Sequence, residues 1–161
     1  MAEYTNNDVQ LVQPSQPILL NTTIGCNKGY VIHREGSGIL TLRGIVNCAN
    51  ACFARYQVTF NGNIGIPSDG TAPAPISIAI AIDGEPVLTS KAIVTPAAVV
   101  PETPANAETN YFNVTSTAII TVPKGCCFNV SVENVSASAS ATTPAPAINV
   151  RNANLVVTRI A

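Results

Sequence analysis

Tryptophan is absent from this 161-residue chain, and its only histidine is His33. Without tryptophan the Cys…Trp…Cys core of an immunoglobulin domain cannot be built. With one histidine, any Ser-His-Asp or Cys-His site would have to use His33. That residue ends the stretch Tyr30–His33 beside Arg34, the setting of a solvated strand residue. Charge is scarce as well: Asp, Glu, Lys and Arg make up 11% of the chain, against roughly 25% in an ordinary soluble domain. The net charge is −1 and the eight basic residues form no run, which argues against nucleic acid as a partner. Apolar runs are short and interrupted, so no membrane span is expected. The start MAEYTNNDVQ has neither an apolar core segment nor a basic leader; a signal peptide is not expected, and cytoplasmic synthesis is.

Catalytic signatures are missing too. There is no nucleophile elbow, P-loop or dinucleotide fingerprint, and no calcium loop of alternating Asp and Asn. Asp83 and Glu85 are the nearest carboxylate pair, but they flank Gly84 and read as turn residues, with no second pair to support acid–base chemistry. Five cysteines are present: Cys26, Cys48, Cys52, Cys126 and Cys127. Cys48 and Cys52 with the vicinal pair could in principle hold zinc. However, the spacing departs from Cys-x2-Cys, and vicinal thiolates chelate one metal awkwardly. An odd number without a secretion signal favours free thiols, with a Cys48–Cys52 link after release as the other alternative. Sequons at Asn21, Asn113, Asn129 and Asn134 are chance matches in an Asn- and Thr-rich chain. The expectation is a non-enzyme without catalytic residue, metal or cofactor.

What the chain does have is β-pattern. Hydrophobic residues make up 47% and aromatics only 5%, so the core must be Val, Ile, Leu and Ala, which suits sheets. In Tyr111–Val122 the even positions Phe112, Val114, Ala118, Ile120 and Val122 are apolar, and Asn113, Thr115, Thr117 and Thr121 alternate with them. Pro123-Lys124-Gly125 turns the chain into Cys127–Asn134, which alternates again. Arg55–Asn61 points Tyr56, Val58 and Phe60 inward. Ile76–Ile82 sets four isoleucines against Ser77, Ala79 and Ala81, and Asp83-Gly84 is a hairpin signal leading into Pro86–Ser90. Further strands are expected at Ile18–Gly25, Tyr30–His33, Gly38–Gly44, Ala92–Val94, Ala147–Val150 and Asn154–Ile160. Loops are expected at Gly62–Pro75, Pro96–Asn110 and Ser136–Pro146. The fold class is therefore all-β, an antiparallel jelly-roll sandwich of about 8–10 strands.

Residues 1–17 read as an extended N-terminal arm and 18–161 as the jelly-roll domain. In the arm Val9, Leu11 and Val12 could fill shallow pockets of a partner, while Pro14 and Pro17 stiffen the exit.

The order IAIAIDGEPV, NYFNVTSTAIITVPKG, FNVSVENVS and NANLVVTRI resembles the tumour necrosis factor and complement globular-head superfamily, in the form found in bacterial and phage surface proteins. The resemblance spans Ile18–Ala161 and implies a ten-stranded jelly roll assembled as a compact trimer. The chain has no Gly-X-Y stalk, and the aromatic cluster usual at the trimer axis is thin. Ser77, Ala79, Ala81, Tyr111 and Asn113 are the candidate trimer-interface residues. The function this implies is a structural phage virion protein, a homotrimeric capsid decoration or head-fibre protein. It would be made in the host cytoplasm, exposed on the particle exterior, and bound by its arm to the major capsid protein or another virion protein. The alternative is a receptor- or glycan-binding head of a phage tail or bacterial surface protein. Exposed aromatics would mark that alternative, and Gly62–Pro75, Pro96–Thr109 and Ser136–Pro146 contain none.

Overall fold

The two longest strands, β6 (Phe53–Gly65) and β10 (Tyr111–Pro123), pair antiparallel from Tyr111↔Gly65 to Pro123↔Phe53. Their alternation buries Ala54, Tyr56, Val58, Phe60 and Ile64 on one strand and Val114, Ala118, Ile120 and Val122 on the other. A computed structural model describes residues 1–25, 29–47, 49–67, 74–96 and 110–161. Within them β6 and β10 belong to a six-stranded sheet, here sheet A. Its other members are β12 (Ile148–Arg159), β1 (Ala2–Asn6), β3 (Thr22–Ile24) and β2 (Gln10–Val12). The second six-stranded sheet, sheet B, comprises β4 (Val31–His33), β5 (Leu40–Arg43), β11 (Cys127–Asn134), β7 (Ile76–Ile82), β8 (Glu85–Pro86) and β9 (Ala92–Val94). Every pairing is antiparallel, and the inner faces enclose one aliphatic core. The protein is an all-β jelly-roll sandwich, as the alternation predicts. Asp83 (φ 50°) and Gly84 (φ 83°) form the expected hairpin corner, both in the left-handed region that such turns need.

Four boundaries differ from the sequence reading. Gly62–Gly65 is not loop but the end of β6. Gly62 is glycine because a side chain there would meet the Phe60 ring at 2.7 Å. The two C-terminal strands are one: β12 carries a bulge in which Asn152 and Ala153 stand opposite the single residue Gly62. Asn152 takes φ 52° to make it, a conformation that Asn tolerates better than most residues. The bulge moves the inward positions from even (Ile148, Val150) to odd (Ala153, Leu155, Val157), and so a period of two breaks there. Finally, Ile18–Gly25 contributes only β3, and Pro86–Ser90 is mostly a 3₁₀ turn, Leu88–Ser90. Positions 68–73 and 97–109 of the expected loops lie outside the described residues.

The N-terminal arm needs a larger correction. Residues 1–17 are not a separate appendage but part of the sandwich. Strand β1 lies between β12 and β3, with Glu3 opposite both Val156 and Ile24. Ala2 and Tyr4 are core residues, and β2 continues along β12 with Val12 buried. The chain then crosses to sheet B, where Ser15 N–H donates to the Asn134 carbonyl (2.8 Å) and Ile18 N–H to that of Val132 (2.8 Å). Inside the crossing, the Asn134 amide donates to Val12 O (3.0 Å) and Pro146 O (3.0 Å), and its Oδ1 accepts from Ser136 N–H (3.0 Å). A fully buried amide thus makes three hydrogen bonds, and the cost of burying it is offset. Deleting residues 1–12 removes Tyr4 and Val12 from the core and bares one side of β12. The expected outcome is loss of the cooperative thermal transition; a truncated protein melting within a few degrees of the full chain would contradict this arrangement.

Tyr56 joins the sheets at the other end. Its hydroxyl donates to Arg43 O (2.5 Å) and lies 3.3 Å from Tyr30 O. Burial raises its pKa above the usual tyrosine value, against the opposing effect of the Arg159 charge. The folded state thus holds this proton more tightly than the unfolded one. The stability it contributes is present below about pH 10 and is lost as pH rises further. Tyr56→Phe should cost about 1–2 kcal/mol at neutral pH and flatten the alkaline arm of a denaturation-versus-pH profile. An unchanged alkaline arm would rule this out.

Candidate functional site

The residues singled out from sequence scatter over the molecule. Ser77, Ala79 and Ala81 do not form an open face, because all three are buried within the chain. Ala79 and Ala81 stand opposite Glu133 and Ser131, which are themselves buried. Ser77 N–H donates to Ser136 Oγ (3.0 Å). Of the N-terminal set, Val12 is in the core, Pro14 and Pro17 are half-buried, and Val9 and Leu11 are exposed. Tyr111 and Asn113 do come together, at one end of the outer face of sheet A.

That face has a distinctive chemistry. Asn113 Nδ2 donates to Asn61 Oδ1 (3.0 Å) and lies 3.2 Å from Asn63 Oδ1. Asn61 donates to Thr115 Oγ1 (3.1 Å), Asn63 to Asn152 Oδ1 (3.2 Å) and Thr117 to Thr59 Oγ1 (3.3 Å). On β12, Asn154 donates to Glu3. Between Arg151 at one end and Arg55 at the other, the outward positions of β6, β10 and β12 carry no charge. Ile119 stands in this field 63% exposed.

Clefts open on the surface among the described residues. One, about 180 Å³, is lined by Asn63, Tyr111, Arg151 and Asn152, with the Arg151 guanidinium 5.4 Å from the Tyr111 ring centre. A second, about 270 Å³, lies on sheet B by Pro17, Asp83, Asn129, Ser131 and Glu133. Both its carboxylates have structural partners: Asn129 N–H donates to Asp83 Oδ1 (3.0 Å), and Ser131 Oγ to Glu133 Oε1 (2.6 Å). A third, about 320 Å³, is lined by Tyr30, Ile45, Val46, Asn47 and Arg159, the guanidinium standing 4.4 Å over the Tyr30 ring. Sequence reasoning missed Tyr30 and Arg159. Nothing local marks them, and only the closure of β12 against β6 brings them together.

His33 is better fixed than a solvated strand residue. Its Nε2 donates to Ser37 O (3.0 Å), its Nδ1 takes the Thr23 hydroxyl (3.2 Å), and its ring meets Tyr4 edge-on at 4.8 Å. With both nitrogens engaged it acts as a clamp between β3 and the β4–β5 turn. Cys52, Cys126 and Cys127 are free and exposed. Cys26 and Cys48 lie outside the described residues.

No family model and no curated protein matches the sequence. Among solved structures, the globular domain of a zebrafish complement 1qA protein superposes with a TM-score of 0.60 at 13% identity, covering 99% of this chain and 96% of that one. The likeness is one of fold: an antiparallel jelly roll similar to that of the complement globular domain. A xylan-binding CBM22-1 domain from Paenibacillus barcinonensis Xyn10C aligns over 99% of this chain and 87% of its own at 10% identity, with a TM-score of 0.35. The complement-type match takes in β1 and β2, in keeping with an N-terminus that belongs to the domain.

The three described thiols are exposed. Replacing Cys52, Cys126 and Cys127 together by Ser should move stability by about 0.5 kcal/mol or less per site, read as a melting shift of a few degrees at most. A large drop, or loss of a stoichiometric metal, would show that they do structural work.

Proposed function

We propose that the protein is a non-catalytic structural head domain that assembles as a homotrimer through the outer face of sheet A. The observation that carries this is the uncharged field of Asn, Thr and Gln on β6, β10 and β12 around exposed Ile119. Its polar groups already satisfy one another laterally. A partner covering them therefore leaves few donors and acceptors stranded, and it desolvates no charge. Depletion of charge is what marks the core of an interface, and a closed threefold assembly leaves no such face open. Tyr111 and Asn113 lie at the edge of this field. Ser77, Ala79 and Ala81 have no part in it.

The finer reading is that this trimer stands on the exterior of a phage virion, as a capsid decoration or the head of a short fibre. Its support is the charge-poor face and the likeness of the strand motifs to the complement-type heads of phage surface proteins. The major capsid protein or another virion protein is then the second partner. Because β1 and β2 are engaged in sheet A, that contact falls to exposed Val9 and Leu11 rather than to a free arm. Light scattering on the purified chain should give about three times 16.7 kDa. Thr117→Arg, in the middle of the face, should yield a folded monomer, whereas Leu88→Arg, exposed on the 3₁₀ turn, should remain trimeric. A native chain that stays monomeric at micromolar concentration overturns the assembly. Absence of the protein from purified particles overturns the virion setting alone.

A further inference from the structure

We propose that the chain pairs with a second copy of itself along the free side of β10, the two strands running antiparallel about Thr117. The contact goes beyond the trimer and does not rest on it. It is made by backbone groups at the margin of sheet A, not by the side chains of its face.

Strand β10 ends sheet A on its side, with β6 as its neighbour, and the register between them is unbroken from Tyr111 to Pro123. Lys124 N–H donates to Cys52 O (2.9 Å) in that same register, which fixes the direction of every group along the strand. Even-numbered residues of β10 turn N–H and C=O toward β6. Asn113, Thr115, Thr117, Ile119 and Thr121 turn theirs the other way. The far side of β6 agrees: odd-numbered Arg55 bonds to Ile160 and Ala161 (both 2.8 Å), beyond the end of β12. Among the described residues no strand takes up the outward groups of these five residues.

Proteins usually blunt such an edge with charge, proline, a bulge or shortness. The other margins of the sandwich are short. Strands β3 and β4 have three residues each and are tied together by Thr23 and His33 (3.2 Å), while β8 and β9 have two and three. Strand β10 has 13 residues, no charged one and no bulge, and its one proline, Pro123, is its last residue. An edge left in this state accepts another strand.

Its own sequence is the complement. With Thr117 opposite Thr117, Thr115 stands opposite Ile119 and Asn113 opposite Thr121, so all five outward residues are paired by about ten backbone hydrogen bonds. On the inner face Val114 then meets Ile120, and Ser116 meets Ala118. These are favourable neighbours, and no charge meets a charge. Six of the nine residues from Asn113 to Thr121 are β-branched, which suits a strand flanked on both sides. Val114 and Ala118 keep 6% and 8% exposure at this margin, where Tyr56, Val58 and Phe60 of β6 keep none; a second strand covers that remnant. A twofold contact is closed, so pairing stops at two units.

The test is a concentration series of the full chain, from micromolar to millimolar, followed by light scattering and amide hydrogen exchange. The mass should double from whatever unit it starts at, so failure of the trimer leaves the result readable. Exchange at Asn113, Thr115, Thr117, Ile119 and Thr121 should slow about tenfold or more on concentration, while the even-numbered amides of β10, already bonded to β6, should not change. Thr117→Pro removes an outward N–H and no bond to β6; it should fold and fail to double. Should it not fold, Ile119→Lys, at an exposed position, supplies the test and should weaken doubling about tenfold. No doubling at millimolar protein, doubling without slower exchange at the five amides, or native doubling in the variant that folds overturns the proposal. Protection of the same amides by a synthetic β11 peptide, Cys127–Asn134, as strong as by the chain itself overturns the choice of a second copy.

Discussion

The sandwich depends on β12 having a neighbour along both of its sides. On one side β6 pairs with it from Asn149↔Gly65 to Arg159↔Tyr56, and on the other β2 and β1 pair with its two halves. A strand buried in this way cannot leave backbone donors or acceptors open without a cost of roughly 1–3 kcal/mol each. The N-terminal segment is therefore a structural requirement of the C-terminal strand. The break between β1 and β2 falls where β12 bulges at Asn152 and Ala153. One irregularity on β12 thus coincides with an interruption in its partner, so that although β12's inward positions change parity, the inward faces of β12, β1 and β2 stay on the same side of the sheet.

Closing the ladder creates a second problem, since the chain must leave sheet A and join sheet B within a few residues. Polar side chains solve it. Asn6 and Gln10 donate to the Leu19 carbonyl (3.1 and 3.0 Å), Gln10 Oε1 accepts the Leu19 N–H (2.8 Å), and the Asn134 amide binds Val12 and Pro146. These amides take the place of strand partners where the backbone runs between sheets. Asn is used here for its paired donor and acceptor, which is also why the sequon at Asn134 is a coincidence of composition.

The long strands were legible because their inner faces are apolar at every second position: β6, β7, β10 and β11 needed nothing beyond period two. Strand β1 was not, because its inward residues are Ala2, Tyr4 and Asn6, only two of them apolar. Its stability comes from partners such as Val156, distant in sequence. The small face Ser77, Ala79 and Ala81 looked open for a related reason. Periodicity tells which residues share a face of a strand, but it does not tell how far the neighbouring strands' side chains rise above them. These short side chains are buried together with Glu133 and Ser131 opposite them, a property of the folded chain that is invisible in one strand's sequence. The same limit hid the cleft at Tyr30, whose charged wall comes from the far end of the chain.

Seen together, the surface divides its chemistry by location. Sheet A's outer face spends its polarity internally, side chain to side chain, and so can be covered without stranding a charge. At the end near Tyr30 the guanidinium groups instead lie over aromatic rings, Arg55 over Phe53 and Arg159 over Tyr30, and Arg159 Nε also donates to Ala161 O. Hydrogen bonds within a face lower the cost of burying it, while an exposed charge raises that cost. In a chain with 11% charged residues, placing arginines at the two ends of the long strands leaves the middle of sheet A's outer face uncharged.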